Sequence, residues 1–111
     1  MGSKKKERHY TIMPTDRKYC YQCGFPLGTY SEFHHCIHGT ANRAIADREG
    51  LGVYVHPKCH RLIHSDKTAD LLIERDAQEI WETKYMKDNN ATAEEARTAW
   101  RELFGKSYIY D

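Results

Sequence analysis

The second half of the chain shows the clearest hydrophobic periodicity. Between residues 68 and 86, apolar side chains recur at helical spacing and leave a charged opposite face: Ala69, Leu72, Ile73, Ala77, Ile80, Trp81 and Tyr85. Residues 88–90 (DNN) interrupt this pattern. A second apolar stripe follows Thr92 and Glu95, which have the spacing of a capping box, and Gly105 closes it. The pattern therefore predicts two amphipathic helices in this half.

The first half of the chain has a mixed pattern. The β-branched and aromatic run 51–55 (LGVYV) predicts a short strand. Residues 39–50 predict a short helix, with Thr40 as its cap and Gly50 as its C-terminal stop. Helical spacing resumes after the strand and breaks near Ser65–Asp66. Together these elements predict a small α+β fold.

Composition narrows the class of protein. The chain has 111 residues, which suits one domain, and its 40% hydrophobic and 30% charged content is typical of a globular protein. No apolar run is long enough to span a bilayer, and the N-terminal residues lack the apolar stretch of a signal peptide. We therefore expect a cytoplasmic protein without membrane contact. In that setting the four cysteines are expected to be thiols or metal ligands rather than disulfides.

Charge is unevenly distributed along the chain. Residues 1–18 carry six Lys or Arg against two acidic residues, and residues 65–111 carry seven against eleven. We expect a basic, flexible arm over 1–18 and a single domain over 19–111. Such an arm suits a polyanionic partner, although a solvated tail without a partner explains the charge equally well.

Two short motifs predict a structural zinc site. Cys20 and Cys23 are separated by two residues, as are His56 and Cys59, and together they offer four ligands for a tetrahedral ion. A domain of this size gains folding free energy from such an ion. Cys36 is an alternative to His56 as the fourth ligand. Ordinary buried thiols are the other explanation of the cysteines.

The remaining histidines of the middle region suggest a second metal site. His60 and His64 are four residues apart, so a helix projects both from one face. His34 and His35 are adjacent on a segment expected to be extended, so their side chains point to opposite sides. One of the pair can then bind an ion while the other faces a substrate. His38 is expected to be a half-exposed surface residue without a role.

Two arginines accompany these histidines. Arg43 and Arg61 lie beside the proposed site in sequence and can act as bidentate donors to phosphate. Plain solvated side chains are an equally good explanation for either one.

These motifs together resemble a known family. The segments FHHCIHG (33–39), VYV (53–55) and HPKCHRLIH (56–64) resemble the HNH, or ββα-metal, endonucleases in their zinc-knuckle form, as found in small phage and prophage proteins. The resemblance implies a ββα-metal core over about 19–66, stapled by zinc, with additional helices over about 67–111.

The resemblance also implies roles for the residues. His34, His60 and His64 would hold one catalytic ion, Mg²⁺ or another divalent metal such as Mn²⁺, Ni²⁺ or Zn²⁺. His35 would be the general base that activates water. The structural zinc would be held by Cys20, Cys23, His56 and Cys59. The substrate would be DNA, bound through its backbone with little base readout and with added affinity from Lys4–Arg8.

One departure from the family pattern favours a different function. The family carries an Asn that helps to orient the base, and this chain has Leu51 at that position. Asn42, in the helix between the two motifs, is a candidate to replace it. The alternative function is a catalytically inactive, zinc-stabilised module that binds a protein or nucleic acid, for example a phage protein that blocks a host factor. The sequence leaves the oligomeric state open.

Overall fold

The computed structural model describes residues 9–109. Its elements follow in the order β1 (Glu32–His35), α1 (Thr40–Glu49), β2 (Gly52–Val55), α2 (Pro57–Ser65), α3 (Lys67–Asn89) and α4 (Ala93–Phe104). The two strands form one antiparallel sheet. The predicted α+β class is therefore confirmed, as are the short strand, the helix break and the two C-terminal helices.

The two strands pair although a helix separates them in sequence. In the antiparallel register Glu32 lies opposite Val55 and His35 lies opposite Gly52. A Cβ at Gly52 would overlap the ring of Phe33 from the facing strand, so a larger residue there would have to displace that ring. All four residues of β2 are buried, so this strand forms the centre of the domain. The sheet thereby holds the histidines of β1 next to the start of α2.

Helix α1 connects the strands and differs at its start from the sequence prediction. Gly39, not Thr40, is the N-cap, and no side chain caps this end. Thr40 is instead the first helical residue, because the helix begins immediately after the glycine. Gly50 ends the helix as predicted, with the left-handed φ of 78° that glycine adopts at low cost.

A single residue joins helices α2 and α3. The backbone N–H of Asp66 donates to the carbonyl of Leu62 and so ends α2. The side chain of Asp66 accepts from the backbone N–H groups of Thr68 and Ala69 and so caps α3. The break predicted at Ser65–Asp66 is thus a tight junction between two helices, with no loop.

Helices α3 and α4 pack together through an aromatic cluster. The ring of Trp100 lies 5.6 Å from Trp81 and 4.3 Å from Phe104, measured between centroids. The predicted capping box at Thr92 and Glu95 is present at the start of α4. Leu72 does not join the core and is 53% exposed, because it lies on the flank of the apolar stripe.

A polar network is buried between these helices and the chain's end. The side chain of Gln78 donates to Glu82 at 2.8 Å and to the hydroxyl of Ser107 at 2.9 Å. Arg97 donates to both carboxylate oxygens of Glu82, at 2.6 and 3.2 Å. The backbone N–H of Tyr108 donates to the amide oxygen of Gln78 at 2.7 Å. The network fixes α4 and the following residues onto α3, since each buried polar group has a partner.

The segment before the first cysteine is attached to the domain. The hydroxyl of Thr11 shares its one proton between the carbonyl oxygens of Gly50 and Gly52, at 3.0 and 2.7 Å. Met13 is buried. These residues belong to the arm expected from sequence, whereas the basic run Lys4–Arg8 lies outside the described residues. Within residues 9–109, no helix has both the length and the apolar character to cross a membrane.

Candidate functional site: two Cys/His clusters that share a helix

The first cluster brings together the four residues of the predicted zinc site. One ligand atom each from Cys20, Cys23, His56 and Cys59 lies within 4.8 Å of the others, a set that could hold a metal ion such as zinc. Cys36 is not part of it and lies in the core. The fourth position is therefore occupied by His56, as the spacing of the second motif predicts.

Tight turns aim these side chains at one point. The backbone N–H of Gly24 donates to the carbonyl of Cys20 at 2.8 Å, which closes the first knuckle, and Gly24 has a φ of 81°. His56 ends the extended segment of β2, and Pro57 begins α2, so Cys59 projects from the first helical turn. A backbone hydrogen bond from Tyr21 to Tyr54 ties the knuckle to the sheet.

The tautomer of His56 suits a metal ligand. Its Nε2 lies 2.8 Å from the carbonyl oxygen of Pro26, which can only accept, so Nε2 carries the proton. Nδ1 is left as the free acceptor, and it lies 3.3 Å from Sγ of Cys23. An outer hydrogen bond that fixes the ligating nitrogen in this way is a common feature of protein metal sites.

The thiols of the cluster have opposing pKa shifts. Burial raises the pKa of Cys20, but the backbone N–H groups of Cys23 and His56 donate to its Sγ and lower that pKa to about 6. Burial and the two neighbouring thiols raise the pKa of Cys59 to about 12. Without a cation beside it, Cys59 therefore keeps its proton. A bound zinc ion would remove this conflict, because thiolate is the form that it ligates.

The second cluster gathers imidazoles from β1 and α2. His34, His60 and His64 offer ligand atoms within 4.8 Å of one another. The ring of His34 lies 5.1 Å from that of His60 and 5.4 Å from that of His64, between centroids. Because Cys59 and His60 are consecutive, α2 contributes to both clusters. The structure thus brings together the three residues that the sequence suggests for a second ion.

His34 is the buried centre of this cluster. It is 1% exposed, and neither of its ring nitrogens has a hydrogen-bond partner among the described residues. Burial, followed by the neighbouring imidazoles of His60 and His38, lowers the pKa of His34 to about 3. The ring is therefore neutral at physiological pH, which is the form that ligates metals. Burying polar atoms without hydrogen-bond partners lowers the stability of the folded protein, so a ligand bound to this ring would stabilise it.

His60 is oriented by a carboxylate. Its Nδ1 lies 2.7 Å from Oε1 of Glu32, at the start of β1. An ionised carboxylate can only accept a hydrogen bond, so Nδ1 carries the proton and Nε2 is free to ligate. This pairing across the strand–helix boundary was not foreseen from sequence. Glu32 and His60 are 28 positions apart, and only the docked sheet brings them together.

His35 has a carboxylate partner of its own. Its Nε2 lies 3.2 Å from Oδ1 of Asp47 on α1, so by the same argument Nδ1 is the basic nitrogen. Burial lowers the pKa of His35, Asp47 opposes this effect, and Arg43 lowers the pKa further. Asn42, the candidate substitute for the Asn of the HNH motif, forms no hydrogen bond with His35 among the described residues. It donates instead to the backbone carbonyl of His38 at 3.0 Å.

Leu51, at the position where the HNH motif that the sequence resembles has an Asn, is a core residue. Leu51 is 1% exposed, and its backbone forms hydrogen bonds with Cys36 and Ala46. Its side chain offers no polar atom to the site. Asp47 is therefore the residue that holds His35, a pairing that the sequence analysis missed.

His38 is half-exposed, as expected from the sequence, but its place among the other imidazoles was not expected. Its ring lies 5.5 Å from that of His34 and 5.6 Å from that of His64, so it belongs to the cluster. Its Nε2 lies 2.6 Å from Oδ1 of Asp70 in the first turn of α3. No local pattern marks this pair, because the two residues are 32 positions apart and meet only when α3 docks.

An open cavity of about 420 Å³ lies beside the imidazoles. His34, His35, His38, His60, His64 and Arg43 contribute to its lining. Arg43 is thus placed where the sequence suggests a phosphate contact. Arg61 is exposed on α2 and is not among the described residues that line the cavity.

Neither protein-family models, nor curated proteins, nor solved structures gave a match to this chain. Its function must therefore be argued from the geometry of the two clusters.

Proposed function

We propose that this protein is a metal-dependent endonuclease of the HNH type that hydrolyses phosphodiester bonds in DNA. The observation that carries the proposal is His34. Its buried ring has two unpartnered nitrogens, it faces two further imidazoles on α2, and it is followed in β1 by a histidine held by a carboxylate. A metal ligand set next to an oriented base, both lining one open cavity, is the arrangement that metal-assisted hydrolysis requires.

The cluster would hold one catalytic divalent ion through His34, His60 and His64. Such an ion supplies charge stabilisation to the phosphate and to the departing oxygen. Three imidazoles suit Zn²⁺, Ni²⁺ or Mn²⁺ better than Mg²⁺, which prefers oxygen ligands. Glu32 fixes the ligating nitrogen of His60, so this part of the site is preorganised.

The base would be His35, acting through Nδ1. Asp47 holds the proton on Nε2 and stabilises the imidazolium that forms when Nδ1 takes a proton from water. Because burial lowers the pKa of His35, the ring is unprotonated at neutral pH and ready to accept. Arg43, on the cavity wall, would bind a phosphate of the DNA backbone.

Plasmid cleavage tests the proposal. Protein freed of loosely bound ions, but retaining one structural zinc, is supplied with Mg²⁺, Mn²⁺, Ni²⁺ or Zn²⁺ and incubated with supercoiled plasmid. We expect nicking or linearisation with at least one ion, and loss of cleavage in His35→Ala. Glu79→Gln, at an exposed residue of α3 that is not among the described residues lining the cavity, is the control and should cleave normally.

Chemical rescue separates a base from a structural residue. If His35 is the base, added imidazole should restore part of the activity of His35→Ala in a pH-dependent way. Undiminished cleavage by folded His35→Ala would refute the role of this residue. If the native protein cuts DNA with none of the four ions, the nuclease proposal fails. A catalytically inactive, zinc-stabilised binding module would then better explain why Leu51 stands where the HNH motif has an Asn.

A further inference from the structure

A second open cavity meets the imidazole cavity at the ring of Phe33, which contributes to the lining of both. Its volume of about 560 Å³ is in the range of pockets that hold small organic ligands. We call it the aromatic cavity, and its lining includes His9, Arg17, Tyr30, Ser31, Phe33 and Tyr54. We propose that it binds an unpaired nucleobase of the DNA, so that the protein acts at single-stranded positions. The inference rests on the proposed function, because the base would belong to the strand that is cut.

The aromatic cavity contains a stack of rings with an open end. The imidazole of His9 lies on the ring of Phe33, with 4.0 Å between the centroids and 10° between the planes. His9 is an exposed residue, so its ring is accessible on the side that Phe33 does not cover. A nucleobase can continue such a stack, since every base has a π-face. The stack therefore favours a flat, aromatic ligand.

Tyr30 supplies a further exposed ring to this lining. It belongs to the segment between the Cys20–Cys23 knuckle and β1, and it is 75% exposed, more than any other large hydrophobic side chain of the described residues. Packing within the domain does not explain an aromatic side chain in that position. Stacking against a bound base would remove much of its apolar surface from water.

The charge of the lining suits a nucleotide within a strand. Arg17 lines the aromatic cavity, and no carboxylate does so among the described residues. Its guanidinium can bind a phosphate next to the base through two hydrogen bonds. The hydroxyl of Tyr54 accepts from the backbone N–H of His9 at 3.0 Å and keeps one proton to donate. Together with the hydroxyl of Ser31, it offers hydrogen bonds to the edge of a base.

The aromatic cavity lies next to the proposed general base. The ring of Phe33 is edge-on to that of His35, with 5.5 Å between the centroids and 88° between the planes. A base in the aromatic cavity would thus be one ring away from His35, and a neighbouring phosphate would reach the imidazole cavity. Bases inside a duplex are paired and stacked on their neighbours, so only an unpaired base can enter. The predicted substrate is DNA with unpaired nucleotides beside the bond that is cut.

Binding to oligonucleotides tests the inference without relying on cleavage. Protein with its structural zinc and no other divalent ion is titrated against a short single-stranded oligodeoxynucleotide, its duplex, and an abasic chain of the same length. Binding is followed by fluorescence anisotropy. We expect the single strand to bind at least about fivefold more tightly than the abasic chain, because stacking on an aromatic side chain contributes that much per base. The duplex should also bind more weakly than the single strand, although it carries more phosphates.

Substitutions in the lining separate stacking from general affinity. Tyr30→Leu removes the π-face and should weaken binding of the single strand at least about fivefold, whereas Tyr30→Phe keeps the π-face and should bind normally. Tyr19→Leu is the matched control, at a tyrosine that is 55% exposed and is not among the described residues lining the aromatic cavity. It should bind as the native protein does. Arg17→Gln should lower the slope of log Kobs against log salt by about 0.7.

Photocross-linking locates the base directly. With iodouracil in the single strand, we expect cross-links to Tyr30 or His9, identified by mass spectrometry. Equal affinity for the abasic chain or for the duplex, native affinity in Tyr30→Leu, or cross-links only outside the aromatic cavity would overturn the inference. Base-dependent binding that needs Tyr30, without cleavage by any ion, would refute the proposed function and keep this subsite. Cleavage of duplex DNA with no dependence on Tyr30 would do the reverse.

Discussion

Burial of His34 should make the protein sensitive to mild acid. The pKa of His34 falls from 6.5 to about 3 on folding. The main cause is burial of the ring, and the second is the proximity of His60 and His38. The unfolded chain therefore binds a proton that the folded protein excludes. Stability is lost as the pH falls from 6.5 toward 3, and it is retained above that window.

The size of the effect follows from this shift. At pH 5 an unfolded histidine with a pKa of 6.5 is almost fully protonated, whereas His34 in the folded protein is not. The linkage relation then gives a loss of about 2 kcal/mol between pH 7 and pH 5 from this one residue. His34→Leu replaces the titrating group with an apolar side chain of similar size. This variant should not lose that unfolding free energy between pH 7 and pH 5.

Urea unfolding measures the difference directly. The two tryptophans of α3 and α4 are buried and report on unfolding by fluorescence. Native protein and His34→Leu are compared at pH 7 and pH 5, each with one structural zinc and no other divalent ion. Effects of other groups and of the zinc cancel in the comparison. Equal losses of unfolding free energy in the two proteins would refute the assignment of the low pKa to burial.

Three further changes test other parts of the structure. Cys59→Ser should abolish binding of the structural zinc and unfold the protein at 37 °C, as measured by metal content and circular dichroism; a folded, zinc-free variant would contradict the role of that cluster. Asp47→Asn should lower kcat for plasmid nicking about 10- to 100-fold and shift the acid limb of its pH profile downward, because the pKa of His35 loses the support of that carboxylate; an unchanged profile would contradict this. Thr92→Ala should lower the unfolding free energy by about 1 kcal/mol in urea, since the hydroxyl that caps Glu95 N–H is lost; no change would show that the cap is not needed.

Local patterns in the sequence predict most of the helices and the Cys/His cluster that could hold zinc. The two-residue spacing of Cys20 and Cys23 specifies a tight turn by itself, and His56 with Cys59 does the same at the start of a helix. The capping box at Thr92 is likewise a property of four consecutive residues. Where one turn of backbone sets the positions of the side chains, the sequence is sufficient to predict their contact.

The carboxylates around the histidines could not be predicted in this way. Asp47 reaches His35 from α1, and Asp70 reaches His38 from α3, so each contact depends on how a helix packs against the sheet. A charged residue on an amphipathic helix is ordinarily assigned to solvent. The burial of Glu82 was missed for the same reason, because its partner Arg97 lies on another helix.

The junction at Asp66 sets the angle between the long helix and the helix that carries His60 and His64. Helix α3 has 23 residues, so it extends about 34 Å from the junction. His64 lies only two positions before the junction, and Asp70 lies four positions after it. A rotation of about 5° at Asp66 would move the far end of α3 by about 3 Å, by the same helical geometry. The distance between His64 and Asp70, and with it the geometry of the histidine cluster, therefore depends on the angle of this junction, which Asp66 fixes through three hydrogen bonds.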